Sequence, residues 1–198
     1  MATPERVITS ESLAERIHSY LPNPEILKEY PAPKALERIT KEEQQRDIPG
    51  SDYVLTLSRK EKRFVIVPYH HPENSLPPQS PGVHYSHVAF EGMSLAPALG
   101  ANGEMLGANI VLFEERMQRM RNSIRSLRAG IPDETLMQQF QQGTLDLSAV
   151  QADRVLRDRD GNATRAYIRP SYVRLGTYGV GPKDEAPFHL SVIEWNWP

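Results

Sequence analysis

The spacing of apolar residues changes along the chain, and each change marks an element. Apolar residues alternate from Tyr53 to Leu57 and become a denser β-branched run from Phe64 to Tyr69, with the polar segment SRKEK between them. Alternation sends successive side chains to opposite faces, so this pair predicts a β-hairpin. The period then lengthens. Met117, Met120, Ile124 and Leu127 recur at helical spacing between Glu114 and Ala129, with arginines on the other faces. Gly130 is placed as a C-terminal cap and Pro132 as a stop. Asp133 is placed to cap a second helix that presents Leu136, Met137 and Phe140, and Leu145 to Leu156 predicts a further short helix. After the turn signal DRDGN, strands are expected near Arg165 to Val173 and Phe188 to Trp195.

The first fifty residues follow another pattern. Ser12 and Glu15 fit a capping box, and Leu13, Ile17 and Leu21 repeat on one helical face before Pro22 and Pro24. A second helical stretch with Leu36 and Ile39 runs into KEEQQRD, ahead of Pro49 and Gly50. Residues 1–52 read as a helical extension, and residues 53–198 as one α+β domain with a mainly antiparallel sheet flanked by helices. Between His70 and Gly82, Pro72, Pro77, Pro78 and Pro81 predict a loop. No internal repeat is present.

Composition narrows the function classes. The chain has 198 residues, 39% hydrophobic and 24% charged, enough for one moderate core. A net charge of −2 gives no electrostatic footprint for nucleic acid. The longest apolar runs, such as FVIVPY, fall far short of the roughly 20 residues that span a bilayer, and no apolar signal segment opens the chain. A soluble, cytoplasmic protein is expected. With no cysteine, disulfides and thiolate chemistry are excluded.

Candidate chemistry centres on HYSHVAFEG, from His84 to Gly92. On a helix, His84, His87 and Glu91 would share a face, with His70 and His71 as reserve metal ligands, but the spacing matches no strong zinc motif. Glu91 is expected to orient backbone groups. Arg169 in AYIRP offers a planar fork that fits a carboxylate, against the plainer reading of a surface ion pair. The arginines from Arg116 to Arg128 read as a solvated helix face.

These segments fall in the order of one enzyme class. His84 and Tyr85 before Phe90, Glu91 and Gly92 resemble the opening signature of the small N-terminal domain of fold-type IV, branched-chain aminotransferases. Glu114, Arg119, Met120 and Ser123, followed by Ile131 and Pro132, resemble that family's next helix. AYIRP, Gly179, Val180, Gly181 and Pro182, and the final SVIEWNWP continue the resemblance, which covers roughly residues 83 to 198.

The resemblance implies amino-group transfer between a branched-chain amino acid and 2-oxoglutarate, with pyridoxal phosphate held as a Schiff base on a lysine of a large domain. It implies that Arg169 helps hold a substrate carboxylate, with Tyr167 and Tyr85 as pocket walls. A homo-oligomer or a complementary C-terminal domain is the implied partner. Two departures accompany it. The segment from Met93 to Pro97 carries no cation for the cofactor phosphate, and none of Lys28, Lys34, Lys41, Lys60, Lys62 and Lys183 matches the Schiff-base position. The chain alone is therefore expected not to transaminate. The alternative is a non-catalytic binding or interaction protein on the same scaffold.

Overall fold

A computed structural model describes residue 19 and residues 53–69, 71–77, 80–128, 130–158, 160–176 and 186–197. The expected N-terminal helices, Gly179 to Pro182, His70 and four of the six lysines lie outside the described residues, as does the side chain of His84. The elements in chain order are β1 (Tyr53–Leu57), β2 (Phe64–Pro68), a 3₁₀ turn (Pro72–Asn74), α1 (Pro81–Tyr85), β3 (Val88–Phe90), β4 (Met93–Leu99), β5 (Met105–Ile110), α2 (Phe113–Ser126), α3 (Glu134–Val155), β6 (Arg165–Arg174) and β7 (Phe188–Trp197).

The strands form one sheet in the order β2-β1-β7-β6-β4-β5, with β3 also on β6, and every pairing is antiparallel. This is the α+β architecture that the alternation of strands and helices implies. One face carries the main core. Leu55 and Phe64 from the β1–β2 hairpin, Met93 and Leu95 from β4, Ile168 and Tyr172 from β6, and Leu190 and Val192 from β7 meet Met117, Met120 and Ile124 of α2 and Phe140 and Leu147 of α3. The far face carries a smaller cluster of Val54, Val65 and Val67, against which Ile193 packs.

Three expectations are corrected here. The two helices after Pro132 are one helix of 22 residues, α3, which runs through Gly143. A Cβ at Gly143 would stand 2.7 Å from Leu55 Cδ2, so the glycine lets this helix lie directly on β1. The end of α2 is turned by Arg128, in the left-handed region at φ 48°, two residues before the expected cap. Gly130, at φ 57°, serves a close approach, since a Cβ there would meet the Ala186 carbonyl oxygen at 2.1 Å. The proline-rich segment before His84 is not all loop: it holds the 3₁₀ turn and begins α1. Asp133 does cap α3, accepting a hydrogen bond from the Leu136 N–H at 2.7 Å.

Two strands, β4 and β5, fall where alternation had given no strand. Pro97 and Gly107 interrupt the pattern there, and the pairing of β4 with both β5 and β6 overrides it.

Candidate functional site

Along β6, Ala166, Ile168, Pro170 and Tyr172 are buried toward the helices, which turns Tyr167 and Arg169 to the far face. On β7, register places Trp195 across from Tyr167 and Ile193 across from Arg169. Three rings then face one guanidinium. Arg169 Cζ lies 5.0 Å from the centroid of Phe90, 5.4 Å from Tyr167 and 5.4 Å from Trp195, within the reach of cation–π attraction. The Tyr167 and Trp195 rings pack on each other at 4.6 Å.

The neighbouring strand is broken at the same place. β3 pairs with residues 171–173 of β6 and β4 with residues 166–168, in one continuous register. Glu91 therefore stands across from Pro170 and Gly92 across from Arg169. Pro170 has no N–H to return, so only the Glu91 N–H bonds across the strands, to the Pro170 carbonyl at 3.1 Å. Gly92 makes room for the phenol of Tyr167 beside Arg169: a Cβ there would lie 2.1 Å from Tyr167 Oη. Phe90, Gly92, Tyr167, Arg169 and Trp195 thus form an aromatic recess around a single cation. Arg169 Nε is enclosed and has no hydrogen-bond partner among the described residues. An enclosed donor with no acceptor is open to a partner that can accept from it. A carboxylate would supply it, paired with the planar fork.

Of the expected site residues, Arg169 and Tyr167 come together in this recess. Tyr85 is not one of the three rings facing the guanidinium. It lies at the end of α1 with its ring 6.3 Å from that of His87, and His87 Nδ1 accepts from Arg174 Nη1 at 3.1 Å. Phe90 and Trp195 complete the recess, and sequence alone marked neither as a site residue. Their β-strand alternation was the available signal, but which face is open depends on the register of β6 and β7.

The metal reading finds no geometry. α1 ends at Tyr85 and Val88–Phe90 is a strand, so His84, His87 and Glu91 share no helical face. No cluster of three metal-ligating side chains occurs among the described residues. Glu91 does not orient backbone groups with its carboxylate either. That group, nearly fully buried, accepts from Arg119 Nε at 2.6 Å and Arg119 Nη2 at 2.5 Å, with Arg116 Nη1 at 3.8 Å. Hydrogen bonding to Glu91 raises the pKa of Arg119.

A second polar group lies under the sheet on the helix side. Glu194 of β7 is fully buried and accepts from Ser148 Oγ and, at 3.3 Å, from Gln151 Nε2 of α3. Burial pushes its carboxyl up to about 8, against the pull of its bonds to Ser148 and Gln151. An open groove of about 660 Å³ lies on the helix side as well, lined by Glu114, Glu115, Arg119, Arg121 and Gln141 among others.

The described residues do not fit the cofactor side of an aminotransferase site. Schiff-base chemistry needs a lysine and the phosphate a cation. The described lysines, Lys60 and Lys62, lie in the turn between β1 and β2, and Met93 and Leu95 point into the core from a segment without cations.

No family model matches the chain, and no curated protein matches it. Solved structures do. The branched-chain amino acid aminotransferase of the T.th. strain, complexed with N-(5'-phosphopyridoxyl)-L-glutamate, is similar over 74% of this chain and 40% of its own, with 22% identity and a TM-score of 0.54. Another structure of that enzyme holds 4-methylvaleric acid. The branched-chain aminotransferase of Thermoproteus uzoniensis with norvaline is similar over 75% of this chain and 42% of its own, at 17% identity and a TM-score of 0.52. The chain spans about two-fifths of the length of these proteins. It shares the α+β fold of the corresponding part of fold-type IV, branched-chain aminotransferases.

Proposed function

We propose that this chain supplies the substrate-carboxylate wall of an aminotransferase-type site, for a branched-chain amino acid and its 2-oxo acid. The observation that carries the reading is Arg169, a cation with an enclosed, unpartnered Nε, ringed by Phe90, Tyr167 and Trp195. Arginine binds the carboxylate through paired N–H donors, while the rings offer apolar surface to an aliphatic side chain. Pyridoxal phosphate supplies the electron sink in such enzymes. Here its lysine and phosphate-binding cation would come from a complementary domain.

Calorimetric titration of the 198-residue chain with 4-methylvaleric acid tests the reading. Saturable binding is expected, and Arg169→Gln should weaken it roughly tenfold to a hundredfold, the worth of a charge-assisted hydrogen bond. Absence of binding, or equal binding by Arg169→Gln, overturns it.

One observation favours a second reading, a carboxylate-binding protein without transamination: the strand Met93–Leu99, which in this fold would approach the cofactor phosphate, brings no cation. The readings part when a separately produced cofactor-bearing domain of this fold is added. Leucine-dependent formation of glutamate from 2-oxoglutarate supports the first, and carboxylate binding without turnover supports the second.

A further inference from the structure

We infer that Arg119, on the surface of α2, is a positioning residue for Arg169 and acts through Glu91 and the segment Phe90–Gly92. The inference rests on the carboxylate reading of the recess and adds what holds the recess in shape.

Across from Arg169 and Pro170, the sheet lacks one backbone hydrogen bond. Antiparallel partners normally exchange two hydrogen bonds at such a pair, but Pro170 has no donor, and the Glu91 N–H makes a single bond to the Pro170 carbonyl at 3.1 Å. The assigned strand stops there, with β3 ending at Phe90 and β4 starting at Met93. Yet this unsupported segment carries two walls of the recess. Phe90, which is 55% exposed, holds its ring over the Arg169 guanidinium, and Gly92 admits the Tyr167 hydroxyl.

The side chain of Glu91 makes up for the missing backbone bond. It points to the helix side, where its carboxylate is 3% exposed, and it takes both ends of the Arg119 fork. A buried carboxylate is stable only when paired in good geometry, and a bidentate arginine fixes direction as well as charge. Arg116, at 3.8 Å, adds charge without a hydrogen bond. The arginine fork on α2 therefore clamps the backbone between Phe90 and Gly92, and the clamp sets where Phe90 and Tyr167 stand relative to Arg169. The Arg119 side chain is 61% exposed, so its removal takes little from the core.

The test uses Arg119→Gln and Arg119→Lys in the 198-residue chain. Two readouts are the Hε resonance of Arg169 in the ligand-free protein and the affinity for 4-methylvaleric acid. Stacked rings shift the Arg169 Hε upfield. In Arg119→Gln this resonance should move toward the value of a solvated arginine, and affinity should fall roughly three- to tenfold, as for residues coupled through one intermediary. Arg119→Lys, which keeps the charge and loses the fork, should fall between Arg119→Gln and the wild type in both readouts. A merely structural role would lower the unfolding midpoint of Arg119→Gln while leaving the folded-state Arg169 resonance in place, and that result overturns the inference. The failures are separable. If the wild-type chain binds no 4-methylvaleric acid, the carboxylate reading falls, whereas an unchanged Arg169 resonance and wild-type affinity in Arg119→Gln sink the clamp alone.

Discussion

Gly92 shows how little room the recess leaves. A Cβ there would lie 2.1 Å from Tyr167 Oη and 2.8 Å from its Cζ, so Gly92→Ala forces the phenol off its place. Tyr167 leans on Trp195, and displacement should spread to the ring beside Arg169. Gly92→Ala is therefore expected to lose 4-methylvaleric acid binding while keeping a native far-ultraviolet circular dichroism spectrum. Full affinity in that variant would contradict the packing described. Glu194 carries a pH prediction. Burial holds its carboxyl at about 8 in the fold, against an ordinary value of 4.5, with Ser148 and Gln151 pulling the other way. The folded value is the higher, so the contribution of Glu194 to stability is complete below about pH 4.5 and is lost as pH rises to 8. His189 runs oppositely. Burial, then the charge of Arg59, lowers it from 6.5 to about 4, so its contribution is present above pH 6.5 and is lost as pH falls to 4. Between pH 6.5 and 8 only the Glu194 slope remains of these two. Urea unfolding should show stability falling across that window, and Glu194→Gln should flatten it. Arg169 and Tyr167 could be named as candidates from sequence because AYIRP is a local motif. The partner of Glu91 was not, since the Glu91–Arg119 pair joins residues 28 apart through the fold.

Among the elements, α2 was the most legible. Met117, Met120 and Ile124 are buried on one face, as their spacing predicts. α3 was read as two pieces because Gly143 weakens helical propensity by about 1 kcal/mol against alanine, while packing on Leu55 rewards the small residue. The pair of strands β4 and β5 was missed for a related reason. Their sequences, MSLAPAL and MLGANI, carry a proline and a glycine, and their strand state comes from cross-strand partners. Phe140 ties α3 to the sheet. It is fully buried, with its ring stacked on Phe64 at a centroid distance of 5.4 Å. Phe140→Ala should cost about 3–5 kcal/mol of stability in urea unfolding, the usual range for a large aromatic removed from a core. A loss under about 1 kcal/mol would mean that α3 is not anchored there.

At the largest scale, the described residues form a sheet with two different faces. The helix side holds the main core, and no helix among the described residues is long and apolar enough to cross a membrane. The far face ends in exposed apolar side chains, with Val83 and Tyr85 on α1 and Val88 and Phe90 on β3. Exposed apolar surface of this kind favours association, and sedimentation at micromolar concentration should show species larger than a monomer. A monodisperse monomer would count against it. The fold class was legible from the sequence of strands, helices and strands, whereas the grouping of rings around Arg169 needed the register of β6 against β7 and β3. The central claim is that Arg169, within its three rings, receives a carboxylate. Nuclear Overhauser effects from bound 4-methylvaleric acid test it most directly. Contacts from its methyl groups to the ring protons of Phe90, Tyr167 or Trp195, with a downfield shift of Arg169 Hε, are predicted. Contacts confined to the groove lined by Glu115, Arg121 and Gln141, or none at saturation, would contradict it.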